Sequence, residues 1–269
     1  MPDATGRLRK IEVLLIVIVV VMVTGVIFQY TAIDRRNRQK QMMCSGFLRH
    51  ITMAMYFYAQ DGDTFPMSTE ASAVGGMNLF GYRNYQPASD GIPSPTADLW
   101  MLVRGHHADL RDFVCPQSTD TVDPFQDVTT AFDFRASIHL SYGYVYQYHP
   151  SRKPLGTGSE PLLPVAADAN PYLKGGVNAS PQADRASAGR GNSLNHSPRV
   201  GQTVAYVDGH VSFIQAPLVN PDSHTSSLRP TTGDNIYTTH ADNEPSDPGN
   251  APTWTRIQIG SKSDYCLVP

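Results

Sequence analysis

Residues 9–28 read RKIEVLLIVIVVVMVTGVIF: a basic pair, then one carboxylate, Glu12, at the mouth of an uncharged apolar run from Val13 to Phe28. Gln29-Tyr30-Thr31-Ala32-Ile33 extends the stretch to Asp34. A bilayer-spanning helix needs about 20 apolar residues, so the run is at the short end of a membrane span and near the long end of a signal-peptide core. No small-x-small cleavage site follows it; the next residues are Asp34-Arg35-Arg36-Asn37-Arg38, which favours an uncleaved anchor. Basic residues flank both ends, Arg7, Arg9 and Lys10 on one side and Arg35, Arg36, Arg38 and Lys40 on the other, so charge does not fix the orientation. An acid costs roughly 2.5–3.5 kcal/mol at the centre of a membrane helix and less near its ends, where it can snorkel to the headgroups. Glu12 is either such an edge residue or a residue with a task.

From Asp34 to Gln60 there is no proline, and glycine enters only at Gly46. Leu48, Ile51, Met55 and Tyr58 recur at three- and four-residue intervals and draw one apolar stripe. Asp61-Gly62-Asp63 and Pro66 supply the stop. The expectation is one helix over residues 9–60, roughly 75 Å long, with a separate anchor and first helix as the alternative. The divisions that follow are a basic leader-like segment 1–8, a transmembrane helix 9–33, its amphipathic continuation 34–60 and a soluble α+β domain 61–269.

That domain is loop-rich: Gly and Pro number 21 each in 269 residues, and charged residues make up 17%. A net charge of −3 and a pI near 6.3 give no electrostatic footprint for nucleic acid. Residues 67–97 read as irregular. "ADLWMLVRG" (97–105) predicts a short helix, "LRDFVCPQS" a short strand ending at Cys115, and "SIHLSYGYVYQY" a strand alternating Ile138, Leu140, Tyr142, Tyr144 and Tyr146. "SPQADRASAGRGNSLNH" (180–196) reads as a surface loop. "GQTVAYVDGHVSFIQ" predicts a hairpin turning at Asp208-Gly209 through a type I′ turn. Residues 217–253 are polar and aperiodic, and "TWTRIQIG" offers a last short strand. The fold class is α+β, a long N-terminal helix packed on an antiparallel sheet with long loops. The three cysteines, Cys44, Cys115 and Cys266, fit no metal or redox spacing and leave one disulfide plus a thiol, or three thiols, open.

Several of these segments together resemble one family, the type IV pilin-like pseudopilins of type II secretion systems, in particular a planctomycete-type group with a C-terminal His…Asp-Gly processing-associated motif. The resemblance is carried by the basic leader and apolar helix with its early Glu12. It continues in "CSGFLRHITMAMYFYAQDGDTFP" (44–66), "DLWMLVRGHHADLRDFVCPQS" (98–118), "NSLNHSPRVGQTVAYVDGHVSF" (192–213) and "GDNIY" (233–237). It implies a pilin-like fold, insertion in a bacterial inner membrane with a periplasmic domain, other pilin-like subunits as partners through the helix, and contact with a prepilin peptidase. It implies that Glu12 pairs with the free N-terminal amine of a neighbouring subunit during assembly. It also places Cys44 and Cys115 in two matching segments, where a disulfide would join helix to domain if the compartment is oxidising; Cys266 has no assigned partner. The departure lies at the leader. Peptidase cleavage wants Gly just before a mature residue that precedes Glu by four. Here that residue is Leu8, preceded by Arg7, and Gly6 comes one place early.

No chemistry is expected of the domain. There is no G-x-S-x-G elbow, P-loop or strand-linked GxGxxG. His196, Asp208 and His210 could suggest a metal-dependent hydrolase, but Asp208 and Gly209 have a sufficient task in the hairpin turn and His210 follows it, so structural roles are the simpler reading. His106 and His107 read as solvated. Asp222, Asp234, Asp242 and Asp247 could offer oxygens to calcium without EF-hand spacing, solvated acids being the simpler account. The expected function is a membrane-inserted, assembling structural subunit without cofactor; the alternative is a membrane-anchored, non-polymerising binding or sensor protein on the same fold.

Overall fold

The computed structural model describes residues 4–67, 95–125, 127–147, 153–171, 192–196, 201–219, 234–237 and 267–268. Its contacts divide into two units, Met1–Met42 and Met43–Pro269.

Helix α1, Ala4–Ala59, runs unbroken through both. Within the first unit, Glu12 through Gln39 are exposed, including an apolar series such as Val13, Ile16, Val19 and Val23. The hydroxyls in this stretch are absorbed by the helix itself: Thr24 Oγ1 donates to Val20 O at 2.7 Å and Thr31 Oγ1 to Phe28 O at 2.9 Å. A helix with its polar groups bonded internally and its apolar side chains facing outward suits a lipid solvent. The segment is long and apolar enough to cross a membrane, with a mean hydropathy of 2.7 over its best window. An exposed Arg38–Asp34 pair at 3.0 Å marks the polar end.

In the second unit α1 becomes one-sided. Cys44, Leu48, Ile51, Met55 and Ala59 are buried while His50, Met53 and Phe57 face outward. The spacing of the sequence stripe is the cause: side chains three and four apart share a face. The helix stops where Asp63 takes a left-handed conformation, φ 57°, its N–H donating to Ala59 O at 2.8 Å. The following residues are then fastened. Phe65 N–H donates to Leu155 O at 2.8 Å, and Pro66 O accepts from Tyr144 Oη at 2.9 Å and from Gln147 Nε2 at 3.2 Å. At Gly156 a Cβ would lie 2.0 Å from Asp63 O, so only glycine lets the two backbones approach this closely.

The sheet is antiparallel, with strands β1 (Tyr142–Val145), β2 (Pro164–Asp168), β3 (Gln202–Tyr206), β4 (Val211–Ile214) and the two-residue β7 (Leu267–Val268) in the order β4-β3-β2-β1-β7. A second small sheet pairs β5 (Leu218–Val219) with β6 (Asp234–Asn235). Strands β1, β2 and β3 are buried at every position, so the expected in-out alternation along β1 is absent; a sheet covered on both faces has no polar face to show. The alternating pattern also began too early, since Ser137–His139 form a 3₁₀ turn that leaves Ile138 exposed.

Helix α2, Pro95–Arg104, starts on proline, whose fixed φ suits a first helical position. Its Trp100 Nε1 donates to Ala131 O at 2.9 Å, and the ring meets Phe134 edge-on at 4.9 Å. The strand expected before Cys115 is instead a 3₁₀ helix, Leu110–Phe113, capped by Asp109 and Asp112. Two aspartates three apart make a capping box, and that local chemistry outweighs the short apolar run. The hairpin between β3 and β4 forms, through a three-residue loop and not a type I′ turn. Gly209 N–H donates to Tyr206 O at 2.9 Å and Tyr206 N–H to His210 O at 3.0 Å, with positive φ (84°) at Gly209 and not at Asp208. "TWTRIQIG" lies outside the described residues.

Candidate functional site

The most concentrated polar chemistry among the described residues is buried, on the face of the sheet that also carries Tyr142. Tyr142 stands opposite Asp168 on β2, and Thr203 on β3 stands opposite Phe213 on β4. Thr203 N–H donates to Asp168 Oδ2 at 2.6 Å, joining the two pairs into one row across the sheet. Directly opposed residues of antiparallel strands project to the same side, so all four point where the Cys44 backbone lies: Tyr142 Oη donates to Cys44 O at 3.4 Å.

Into this row comes His196. Residues 192–196, expected within a surface loop, carry Asn192, Ser193, Asn195 and His196 buried. They are stitched down by side chains bonding main chain: Asn192 Nδ2 to Gln215 O, Ser193 Oγ to Ala169 O, and Asn195 Nδ2 to Ser141 O. His196 Nε2 then lies 2.8 Å from Asp168 Oδ2, with the side chains 2% and 0% exposed. Asn195 Nδ2 donates to Asp168 Oδ1 at 3.0 Å. The carboxylate thus receives three donors, His196, Asn195 and Thr203 N–H, which is how a buried acid offsets its lost hydration. His196 Nδ1 meets the Gln117 amide, and the ring touches Phe213 edge-on at 5.5 Å.

The geometry excludes a hydrolytic triad at this point. A triad base splits its two nitrogens between an orienting acid and a nucleophile; here Asp168 and the Thr203 hydroxyl, at 3.3 Å, both address Nε2. What the arrangement does is lock the 192–196 segment onto the sheet in one register.

Asp208 and His210 are elsewhere. His210 N–H donates to Asp208 Oδ1 at 3.0 Å, its ring also meets that carboxylate, and both side chains are 38% exposed on the hairpin loop. His210 stacks on Tyr206 with centroids 4.2 Å apart. Burial and the Asp208 charge push the Tyr206 phenol up to about 12. Burial, then the Asp168 charge, raises Tyr142 well above the ordinary range, and burial is also the main cause for Tyr144. His196 therefore belongs to a different site from Asp208, Gly209 and His210, and the four do not form one motif in space.

The Cys44 and Cys115 sulfurs are bonded, with Cα atoms 5.2 Å apart. Cys266 lies outside the described residues, as do Asp222, Asp242 and Asp247, while Asp234 belongs to β6. His106 and His107 are exposed after α2, His107 edge-on to Tyr58. Gly6, Arg7 and Leu8 are on α1, and Glu12 is exposed there. Sequence reasoning did not single out Asp168 or Gln117. Asp168 ends a short run, "LLPVAAD", whose lone acid after apolar residues was the available signal. Comparison with known protein families, with curated proteins and with solved structures finds no match to this chain.

Proposed function

We propose that the chain is a pseudopilin-like structural subunit that inserts in a membrane through α1 and associates there with other pilin-like helices. The observation that supports this reading best is the unbroken course of α1, exposed and apolar in its first half and one-sided in its second. Helices in lipid associate by close van der Waals contact, and Gly25, whose Cβ position meets nothing within 4 Å, offers a place for it. Glu12 at the apolar edge pairs with a neighbour's N-terminal amine in this reading, which offsets the acid's cost in lipid. The domain stands on the periplasmic side and performs no catalysis.

The experiment is the intact mass and N-terminal sequence of the protein taken from its native membrane. A methylated N-terminus at Arg7 or Leu8 supports assembly. A chain beginning at Met1 or Pro2 overturns processing and favours the second reading, a membrane-anchored protein that does not polymerise. The observation behind that second reading is the position of Gly6, six residues before Glu12 where the family pattern wants five.

A further inference from the structure

We propose that Cys44, Cys115 and His196 form a redox-gated site for a soft divalent cation, zinc in the first instance, occupied when the disulfide is reduced. The inference rests on the second unit alone and stands apart from the assembly reading above. One ligand atom from each of the three residues lies within 4.8 Å of the others, and all three residues are buried. Two thiolates and an imidazole are donors that zinc prefers, at about 2.3 Å for sulfur and 2.0–2.1 Å for nitrogen. The sulfurs of a tetrahedral site sit roughly 3.7 Å apart by that geometry. Cysteines with Cα atoms 5.2 Å apart reach this separation by side-chain rotation once the bond is broken.

The surroundings of His196 suit a ligand. Metal-bound histidines characteristically hand their second ring N–H to a carboxylate, which fixes tautomer and orientation. His196 Nε2 already has Asp168 Oδ2 at 2.8 Å. With Nε2 turned to Asp168, Nδ1 is the ring atom left for an ion, and Gln117 Oε1 is the atom now beside it. An incoming ion displaces that amide or takes its oxygen as a further ligand.

The chemistry balances with a dithiol reductant. Its two thiols are oxidised to a disulfide and supply two electrons and two protons; the Cys44–Cys115 bond breaks and each sulfur becomes a thiol. Zinc then displaces both thiol protons to water as two Zn–S bonds form, with no further redox change. With Cys44 and Cys115 0% and 1% exposed, exchange requires local opening of the segment over them. The same sulfurs thus offer a cation to the reduced chain and a covalent link to the oxidised one.

The test uses the full chain in detergent, oxidised or reduced with a phosphine, titrated anaerobically with Co²⁺ as the spectroscopic probe. The expected result is one Co²⁺ per reduced chain with a thiolate-to-cobalt charge-transfer band, and no band from the oxidised chain or from the Cys44→Ser/Cys115→Ser double variant. His196→Gln should weaken binding at least ~10-fold, the loss that removal of even an outer-shell partner of a ligand brings. A reduced, folded chain without the band, or equal affinity in a folded His196→Gln chain, overturns the proposal. If reduction unfolds the chain, added Zn²⁺ must restore its near-ultraviolet circular dichroism, and failure to do so also overturns it. Should His196→Gln not fold, X-ray absorption of zinc-loaded reduced wild type decides: two sulfurs and an imidazole support the site, and an oxygen-only shell overturns it.

Discussion

Among the described residues, two aspartate–imidazole pairs closed at hydrogen-bond distance stand in opposite environments. Asp168 and His196 are 28 residues apart, sealed, and tied to β3 and to the 192–196 segment. Asp208 and His210 are two residues apart on a hairpin loop, each 38% exposed. The residue types are identical, so the difference in worth comes from what surrounds them. Water can replace either partner of the loop pair, and exposed pairs contribute about 0–1 kcal/mol. No water replaces Asp168, because its three donors point inward and would each lose a carboxylate acceptor.

The sharpest way to break this contrast is Asp168→Ala. Removing one partner of a buried pair typically costs about 3–5 kcal/mol, and urea unfolding of the detergent-solubilised chain should show a loss of that order or no cooperative transition. A loss no larger than that of Asp208→Ala would abolish the distinction. Next comes the covalent link beside the buried pair. Cys44→Ser with Cys115→Ser opens a closure of 71 residues, and disulfides typically contribute about 2–4 kcal/mol. The same unfolding measurement reads it, with and without reductant, and the variant should be indifferent to reductant.

Alkaline pH probes the loop pair's own neighbour. Tyr206 has a folded pKa of about 12 against an ordinary 10.0, so the unfolded chain loses its phenolic proton first. Stability from this group is complete below pH 10 and declines as pH rises toward 12, by about 1.4 kcal/mol per unit of pKa difference, close to 3 kcal/mol in all. Tyr142 and Tyr144, also raised, act in the same direction. Tyr206→Phe should make the decline between pH 10 and 12 shallower without moving its onset. An unchanged slope would mean that Tyr206 is not held neutral in the fold. The smallest effect is expected of Asp208→Ala, about 0.5 kcal/mol by the same unfolding measurement, since its losses are a turn hydrogen bond and an exposed contact with the His210 ring.

How much of this was legible in the sequence follows from the range over which each feature is determined. Helix α1 announces its course and its stop within a few residues at a time, through the stripe at Leu48, Ile51 and Met55 and the turn at Asp61–Asp63. Gly209 announces the hairpin, although the turn type depends on Asp208, which keeps negative φ, and so was misjudged. The buried pair was not legible, because Asp168 and His196 meet only after β2, β3 and the 192–196 segment are assembled. Asn195 and Ser193 look like loop residues by composition, and it is their bonds to Ser141 O and Ala169 O that take them inside. The capping box of Asp109 and Asp112 was legible in their three-residue spacing, and it is this local chemistry that prevails over the short apolar run around Phe113.

The position of the sulfur bridge also sets how the chain would carry tension. Cys44 precedes the end of α1, and Cys115 follows α2, so a pull between the N-terminus and the sheet crosses from one to the other through sulfur. The 70 residues between them, α2 and the last four turns of α1 included, are shunted out of the loaded path. At about 3.5 Å per extended residue, the bridge withholds roughly 245 Å of slack from a stretched chain. Reduction would release that reserve all at once, turning a short, stiff tether into a long, compliant one.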